Sequence, residues 1–425
     1  MAQEQAFTLD TSSIKYGPGV TREVGDDLVQ LGVKRVLLVT DKHLRDSVAV
    51  ETAVESCKAE GLEFDIFDAV RIEPTDASFG EAIAVAAAGR FDGFLAIGGG
   101  SVIDTAKAAN LYSTWPADLL TYVNAPIGQA TPVPGKLKPL IAVPTTAGTG
   151  SETTGVAIFD YKAMNAKTGI ANRALRPAIG ILDPVNTLTM PPMVTASSAL
   201  DVLSHAIESY TAIPYSSRPA PPSPRFRPAY QGANPISDIW SSKAMEMVAS
   251  TLTTVMEEPD NLEARGTMML AAAYAGIGFG NAGVHLPHGM SYPVSGTVRS
   301  YVPPGYPDDH PMVPHGMSVI LNAPAVFRFT AEANPQRHLE AARMLGAETG
   351  DVPLEMAGEV LARRLIEIMQ QTGMPNGLSA VGFGEGDLDV LVEGTLPQER
   401  VTKLSPRPAS ADDLRNLFRN AMTYW

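Results

Sequence analysis

An α/β domain built on a parallel sheet, followed by an all-helical domain, is the fold class predicted for this 425-residue chain. Three observations predict it. Short aliphatic runs at 36–40, 64–67, 94–97 and 140–143 alternate with helix-like stretches, and two of the runs open directly into glycine-rich loops. Past Met190, Pro191 and Pro192 these runs disappear and long helical patterns take over, at 195–211, 237–257, 262–279, 335–345 and 354–372. The length also exceeds what one core ordinarily serves, so two domains are expected, 1–191 and 192–425.

In chain order, the first run ends in Asp41, and residues 44–60 have the charge distribution of a surface helix. The third run leads into Gly98, Gly99, Gly100 and Ser101, after which 102–110 reads as a helix. The fourth opens into Pro144, Thr145, Thr146, Ala147, Gly148, Thr149, Gly150 and Ser151. Loops that follow several parallel strands converge on one sheet edge, which is where a dinucleotide binds in such folds. A glycine turn at a helix start lets backbone N–H groups reach a phosphate. Asp41 stands where a carboxylate can accept hydrogen bonds from ribose hydroxyls and repel a 2′-phosphate. The competing readings are a tight turn for the glycines and a helix N-cap for Asp41. Gly278, Gly280 and Gly283 also satisfy G-x-G-x-x-G, but they follow an alanine-rich helical run with no strand ahead of them, so that match is discounted.

In the helical half, Asp201 and His205 are four apart and share a helix face. A carboxylate with imidazoles suits a divalent ion such as iron or zinc, with a position left for substrate. Taken alone, the pair also fits a capping carboxylate and a satisfied histidine. Three long loops are expected: 213–237, proline-rich, with Arg218, Arg225 and Arg227 and no acid; 283–296, with His285 and His288; and 299–316, with His310 and His315. The first is a candidate anion-binding loop.

Composition limits the partners. With 46 acidic against 32 basic residues and a net charge of −14, neither nucleic acid nor an anionic membrane surface is expected to bind. The single cysteine, Cys57, rules out a disulfide framework and suits a reducing compartment. The first ten residues, MAQEQAFTLD, lack the features of a signal or transit peptide, so a cytoplasmic protein is expected. The longest uncharged run, 267–284, is too short and too polar at its margins for a membrane span and reads as a buried helix.

With these residues in view, the strings GGGSVIDTAKAAN from Gly98, PTTAGTGSE from Pro144, DVLSHAIESY from Asp201, HGMSYP from His288 and PHGMS from Pro314 resemble the iron-containing (group III) alcohol dehydrogenases. FGNAGVHLPHGMSYPVSG from Phe279, RPAYQGANPISDIW from Arg227 and GTLPQERVTKL from Gly394 resemble its hydroxyacid-oxoacid transhydrogenase branch. The resemblance implies a dehydroquinate-synthase-like fold, and metal ligation (Fe2+ or Zn2+) by Asp201, His205, His288 and His315. It also implies NAD contacts by Asp41, Gly98, Gly99, Gly100, Ser101, Asp104, Thr145, Thr146, Thr149 and Lys167. The implied reaction takes hydride from 4-hydroxybutyrate to 2-oxoglutarate through bound NAD, in a homo-oligomer, a dimer. Animal relatives of this branch would be mitochondrial.

Two departures stand out. Many family members carry a histidine four residues after the third ligand that assists proton transfer, and here that position is Tyr292. His285, three before His288, either replaces that imidazole or orients a ligand from behind. Arg227 is the expected receptor for a substrate carboxylate. The alternatives are an NAD-dependent alcohol or 4-hydroxybutyrate dehydrogenase that releases NADH, and a metal-dependent lyase or cyclase of the same fold.

Overall fold

The computed structural model describes residues 3–164 and 166–425, without the Arg225 side chain. The chain divides into two compact units, one of residues 10–190 and 260–276, the other of 1–9, 191–259 and 277–425. Two segments therefore lie apart from a single cut after residue 191. The first nine residues belong with the helical unit, and 260–276, the first part of the Leu262–Ala282 helix, belongs with the α/β unit.

The α/β unit holds a six-stranded sheet of β1 (Ser13–Tyr16), β2 (Arg35–Val39), β3 (Glu63–Phe67), β4 (Gly93–Gly98), β5 (Leu140–Pro144) and β8 (Ile179–Leu182). Its order is β1-β8-β5-β4-β2-β3, and every pairing is parallel. The aliphatic runs are continuous because both faces are covered. Val36, Leu38, Leu95, Ile97, Ile141 and Val143 bury against the Val24–Gln30 and Val48–Ala59 helices, while Leu37, Val39, Phe94, Ala96, Leu140 and Ala142 bury against Asp76–Ala88 and Gly100–Thr114. A strand covered on one side only would alternate polar and apolar residues. Between β5 and β8 an antiparallel hairpin, β6 (Val156–Tyr161) with β7 (Ala166–Ala171), forms a separate ribbon that the aliphatic runs do not signal.

The helical unit is centred on Pro192–Thr211, where every residue from 199 to 211 is buried. Proline at its first position is tolerated because that N–H has no helical partner. Against it pack Pro235–Glu257, whose start is capped by the Asn234 side chain, and His315–Ile320, and the unit also holds Leu286–Gly296, Ala323–Thr330, Ala357–Gln371 and Leu388–Thr395. Two of the expected loops are thus helical where they matter. Residues 283–296 become the Leu286–Gly296 helix and the end of 299–316 starts His315–Ile320. Proline and glycine hid both: Pro287 sits in the first turn, and Gly289 is needed because a Cβ there would lie 2.6 Å from Thr402 Cγ2. Gly283, at φ +100°, ends the Leu262–Ala282 helix, so the discounted glycine pattern is helix and helix terminus. Among the described residues no helix is long and apolar enough to cross a membrane.

Candidate metal centre and dinucleotide edge

The central helix presents Asp201, His205 and Glu208 at positions i, i+4 and i+7, on one face. His288 arrives from the first turn of Leu286–Gly296 and His315 from the first residue of its helix. One ligand atom from each of Asp201, His205, His288 and His315 lies within 4.8 Å of the other three. The Nε2 atoms of His288, His205 and His315 stand 3.7, 3.8 and 3.9 Å from Asp201 Oδ1. Those separations are too long for hydrogen bonds. They are a little wider than the roughly 3.3–3.6 Å edge of a tetrahedron with donor bonds of about 2.0–2.2 Å, so the group suits a divalent ion.

Protonation agrees with that use. Burial, followed by the neighbouring His288 and His315, holds His205 well below its usual pKa. Burial, then Arg400, lowers His288 to about 3. Both rings are therefore neutral, as ligands must be. The His288 tautomer is fixed from behind: Nδ1 donates to Glu208 Oε1 at 2.5 Å, leaving the buried Nε2 with no hydrogen-bond partner and aimed into the group. Glu208 Oε2 also accepts the backbone N–H groups of His285 (2.6 Å) and His288 (3.4 Å). Burial raises the Glu208 carboxyl to about 7 against the pull of these donors. This is the carboxylate–histidine arrangement by which ligands are commonly oriented.

Glycine next to each loop ligand has a steric cause. A Cβ on Gly316 would lie 2.2 Å from Ser197 O and 2.7 Å from Asp201 Cβ, so only glycine lets His315 begin a helix pressed onto the central one. Met317 N–H then donates to Ser197 Oγ at 3.1 Å. Gly289 does the same against Thr402. His205 is locked by stacking on Phe279, 3.9 Å between centroids at 7°.

In the α/β unit the carboxyl ends of β4 and β5 run side by side, Gly98 opposite Pro144. The turn Gly98–Gly100 starts the Gly100–Thr114 helix, which has no side-chain cap at its N-terminus. A Cβ on Gly100 would lie 2.6 Å from Thr149 Cγ2, and one on Gly99 would lie 3.3 Å from Thr146 Cγ2, so the threonine loop closes directly over the glycines. Thr145 N–H bonds Gly98 O at 3.1 Å. Asp41, at the end of β2, accepts the N–H groups of His43 and Leu44 at 2.8 and 3.1 Å, so it caps the following turn. Three of the expected NAD contacts are also engaged within the protein. Ser101 Oγ accepts from Glu73 N–H at 3.2 Å. Asp104 takes Ser151 Oγ at 2.6 Å and Ile158 N–H at 2.9 Å. Lys167 is clamped by Glu73 (2.5 Å) and Asp160 (3.0 Å), whose charges outweigh burial and raise its pKa. Asp104 and Lys167 thus tie the β6–β7 ribbon to the glycine-turn helix and to Glu73.

A profile described as "Iron-containing alcohol dehydrogenase" matches residues 11–184, and one described as "Fe-containing alcohol dehydrogenase family, C-terminal" matches 229–422. The chain belongs to the iron-containing alcohol dehydrogenase family. It is an oxidoreductase with that family's fold. It is 57% identical to a mitochondrial hydroxyacid-oxoacid transhydrogenase of Bos taurus, over 99% of this chain and 90% of that protein. With a probable mitochondrial hydroxyacid-oxoacid transhydrogenase of Dictyostelium discoideum it shares 50% identity, over 99% and 80%. Among solved structures it resembles a 1,3-propanediol oxidoreductase, with TM-score 0.85 and 27% identity over 98% of this chain and all of that one. The cytoplasmic placement is corrected by these relatives, which are mitochondrial by name: the first ten residues do not decide the compartment.

Two further expectations change. His285 stands apart from the four-donor group. Its Nε2 bonds Thr211 Oγ1 at 3.0 Å, its ring lies edge-on to Phe327, and it is wholly buried outside the four-donor group. Tyr292 lies one turn beyond His288, buried, and accepts a hydrogen bond from Arg400 Nη2 at 3.2 Å. Arg227 is not a free carboxylate receptor. Glu4 takes its Nε and Nη2 at 3.0 and 3.3 Å, and Thr8 takes Nη1 at 3.3 Å. Arg225 lies outside the described side chains, and His310 pairs with its neighbour Asp309 at 2.7 Å.

Sequence reasoning missed Glu208, Lys107 and Arg400. Glu208 had a signal, a lone acid at the i+7 position of the ligand helix. Lys107, fully buried, holds Ser151 Oγ (2.6 Å) and Val156 O (2.7 Å) beneath the threonine loop, and burial lowers its ammonium to about 8. Arg400 had none.

Proposed function

We propose that this protein is a hydroxyacid-oxoacid transhydrogenase that oxidises 4-hydroxybutyrate to succinate semialdehyde and, with the same NAD still bound, reduces 2-oxoglutarate to 2-hydroxyglutarate. The observation that carries the reading is the group of Asp201, His205, His288 and His315 with Glu208 behind it. The names of the relatives supply the class of substrate pair, a hydroxy acid and an oxo acid.

When bound, a divalent ion supplies Lewis acidity to the substrate oxygen and NAD supplies a hydride acceptor. Asp201 would contribute the one carboxylate of the donor set beside three imidazoles, so that a divalent ion held there would keep a net positive charge, which favours ionisation of a substrate hydroxyl. Glu208 prevents the His288 ring from turning. Gly98, Gly99, Gly100, Thr145, Thr146 and Thr149 offer backbone and hydroxyl donors to a pyrophosphate, and Asp41 offers its carboxylate to a ribose. Over the cycle 4-hydroxybutyrate loses a hydride from C4 and its hydroxyl proton, while 2-oxoglutarate gains a hydride at C2 and a proton on oxygen. The sum is redox-neutral and needs no outside oxidant.

The test is incubation of the metal-loaded protein with both substrates and no added NAD. Semialdehyde and 2-hydroxyglutarate are expected in equal amounts over many turnovers. Product formed only when NAD is supplied, with NADH accumulating, would sink the transhydrogenase reading in favour of a dehydrogenase that releases its cofactor. A homodimer is part of the proposal, read by light scattering in solution.

A further inference from the structure

The two substrates of the proposed reaction share one feature besides the reacting carbon. In 4-hydroxybutyrate the carbinol carbon, and in 2-oxoglutarate the keto carbon, is followed by two methylenes and a carboxylate. A single receptor can therefore hold both, provided it is a cation near the metal group and not already paired. Arg227 fails that requirement, since Glu4 and Thr8 occupy its guanidinium.

We infer that Arg400 is the receptor for this shared carboxylate. Its guanidinium is held by aromatic groups: Nη2 donates to Tyr292 OH at 3.2 Å, and the cation lies over the Tyr230 ring at 4.9 Å from the centroid. Nη1 is closed off from solvent and has no hydrogen-bond partner, although part of the residue remains exposed. Among the described residues no carboxylate lies within ion-pair reach of it. An unmatched guanidinium in a desolvated place is costly, and a planar fork with a vacant arm is what a carboxylate binds best.

Two contact routes join Arg400 to the ligands inside the helical unit. Tyr292 lies one helical turn past His288, on the same face. Tyr230 meets Phe279 edge-on at 6.4 Å, and Phe279 is the ring on which His205 stacks. The backbone that carries Arg400 is seated by the same motif that carries His288, because Gly289 lies against Thr402 and Gly394 against Pro293. Tyr292 therefore has a part without a proton relay: it aims the guanidinium. In a chain of net charge −14 this is a local cationic site placed for an anion.

The inference rests on the proposed substrate pair, so its test uses a ligand that needs no turnover. Glutarate keeps the remote carboxylate of 2-oxoglutarate and lacks the reacting oxygen. Calorimetry of the metal-loaded protein should show glutarate binding that weakens at least about tenfold in Arg400→Gln and is partly restored in Arg400→Lys, as loss of a charge-assisted contact implies. In kinetics, the ratio of kcat/KM for 4-hydroxybutyrate to that for butan-1-ol should fall by a similar factor. Equal glutarate binding in wild type and Arg400→Gln, or no binding to wild type, overturns the assignment. So does a loss on both alcohols alike, which would mark Arg400 as a cation that only supports the fold. Metal content and near-ultraviolet circular dichroism check folding, and Arg400→Lys carries the comparison should Arg400→Gln not fold. If the wild type turned over no 4-hydroxybutyrate yet bound glutarate through Arg400, the transhydrogenase reading would fail and the carboxylate receptor would stand.

Discussion

The two units build their sites in different ways. In the α/β unit the candidate dinucleotide edge is made of backbone at the ends of adjacent strands: Gly98 and Pro144 are opposite one another in the sheet, and the loops beyond them close glycine against threonine. Parallel pairing fixes that meeting once the strands form. In the helical unit the four donors come from one helix and two helix starts, and side chains packed around them decide where each points. A backbone site tolerates change at single side chains, whereas a side-chain site fails when one is removed.

The sharpest way to break this comparison is to remove a ligand. His288→Ala and His315→Ala should each lose most bound metal and all measurable turnover while circular dichroism stays that of the folded chain, because the surrounding helices pack through other residues. Metal analysis and the transhydrogenase assay read the outcome. Full occupancy and activity in either variant would show that the four donors do not form the site.

Glu208 tests whether support matters as well as ligation. It acts through His288, so Glu208→Gln, which keeps shape but loses the charge, should weaken metal affinity roughly 10–100-fold. Competition with a chelator measures this, and Glu208→Asp, which restores a carboxylate at shorter reach, should recover part of the affinity. Unchanged affinity in Glu208→Gln would reduce the residue to a buried filler.

How much could be read from the sequence follows the same division. Strands β2, β4 and β5 announce themselves because both faces are buried, which leaves unbroken aliphatic runs; β1 is a short edge strand with mostly exposed residues and gives no such run. The glycine turn and the threonine loop were legible because close backbone approach selects residue types locally. Of the candidate metal site, only the Asp201–His205 spacing is visible without knowing a family. The helices that carry His288 and His315 are masked by Pro287, Gly289, Pro293 and Gly316, and the last three lie against Thr402, Gly394 and Ser197, which are far away in the chain. Arg227 and Arg400 show the limit. One arginine stands in a loop rich in cations and is paired within the fold, while the other, in the GTLPQERVTKL string, is the one whose guanidinium keeps a vacant arm. Partners separated by more than a hundred residues leave no local pattern.

Asp41 provides the finest test, since it is a side chain at the backbone-built edge. Its Oδ1 already caps the turn after β2 through His43 and Leu44, so a change to glycine would disturb that turn as well as remove the charge. Asp41→Asn separates the two effects, because an amide oxygen still accepts both N–H groups. If the carboxylate also faces the adenosine ribose, a 2′-phosphate there meets a like charge, at a cost of about 1–4 kcal/mol for charges near 4 Å depending on solvent access. Removing the charge should therefore leave NAD binding within about threefold of wild type and narrow the preference for NAD over NADP by roughly tenfold, as measured by fluorescence titration of the two cofactors. A preference that survives Asp41→Asn unchanged would mean that Asp41 only caps the turn and that the pocket rejects the 2′-phosphate by shape. In that case even the acidic residue at this edge would be serving the backbone, and the contrast between the two units would be complete.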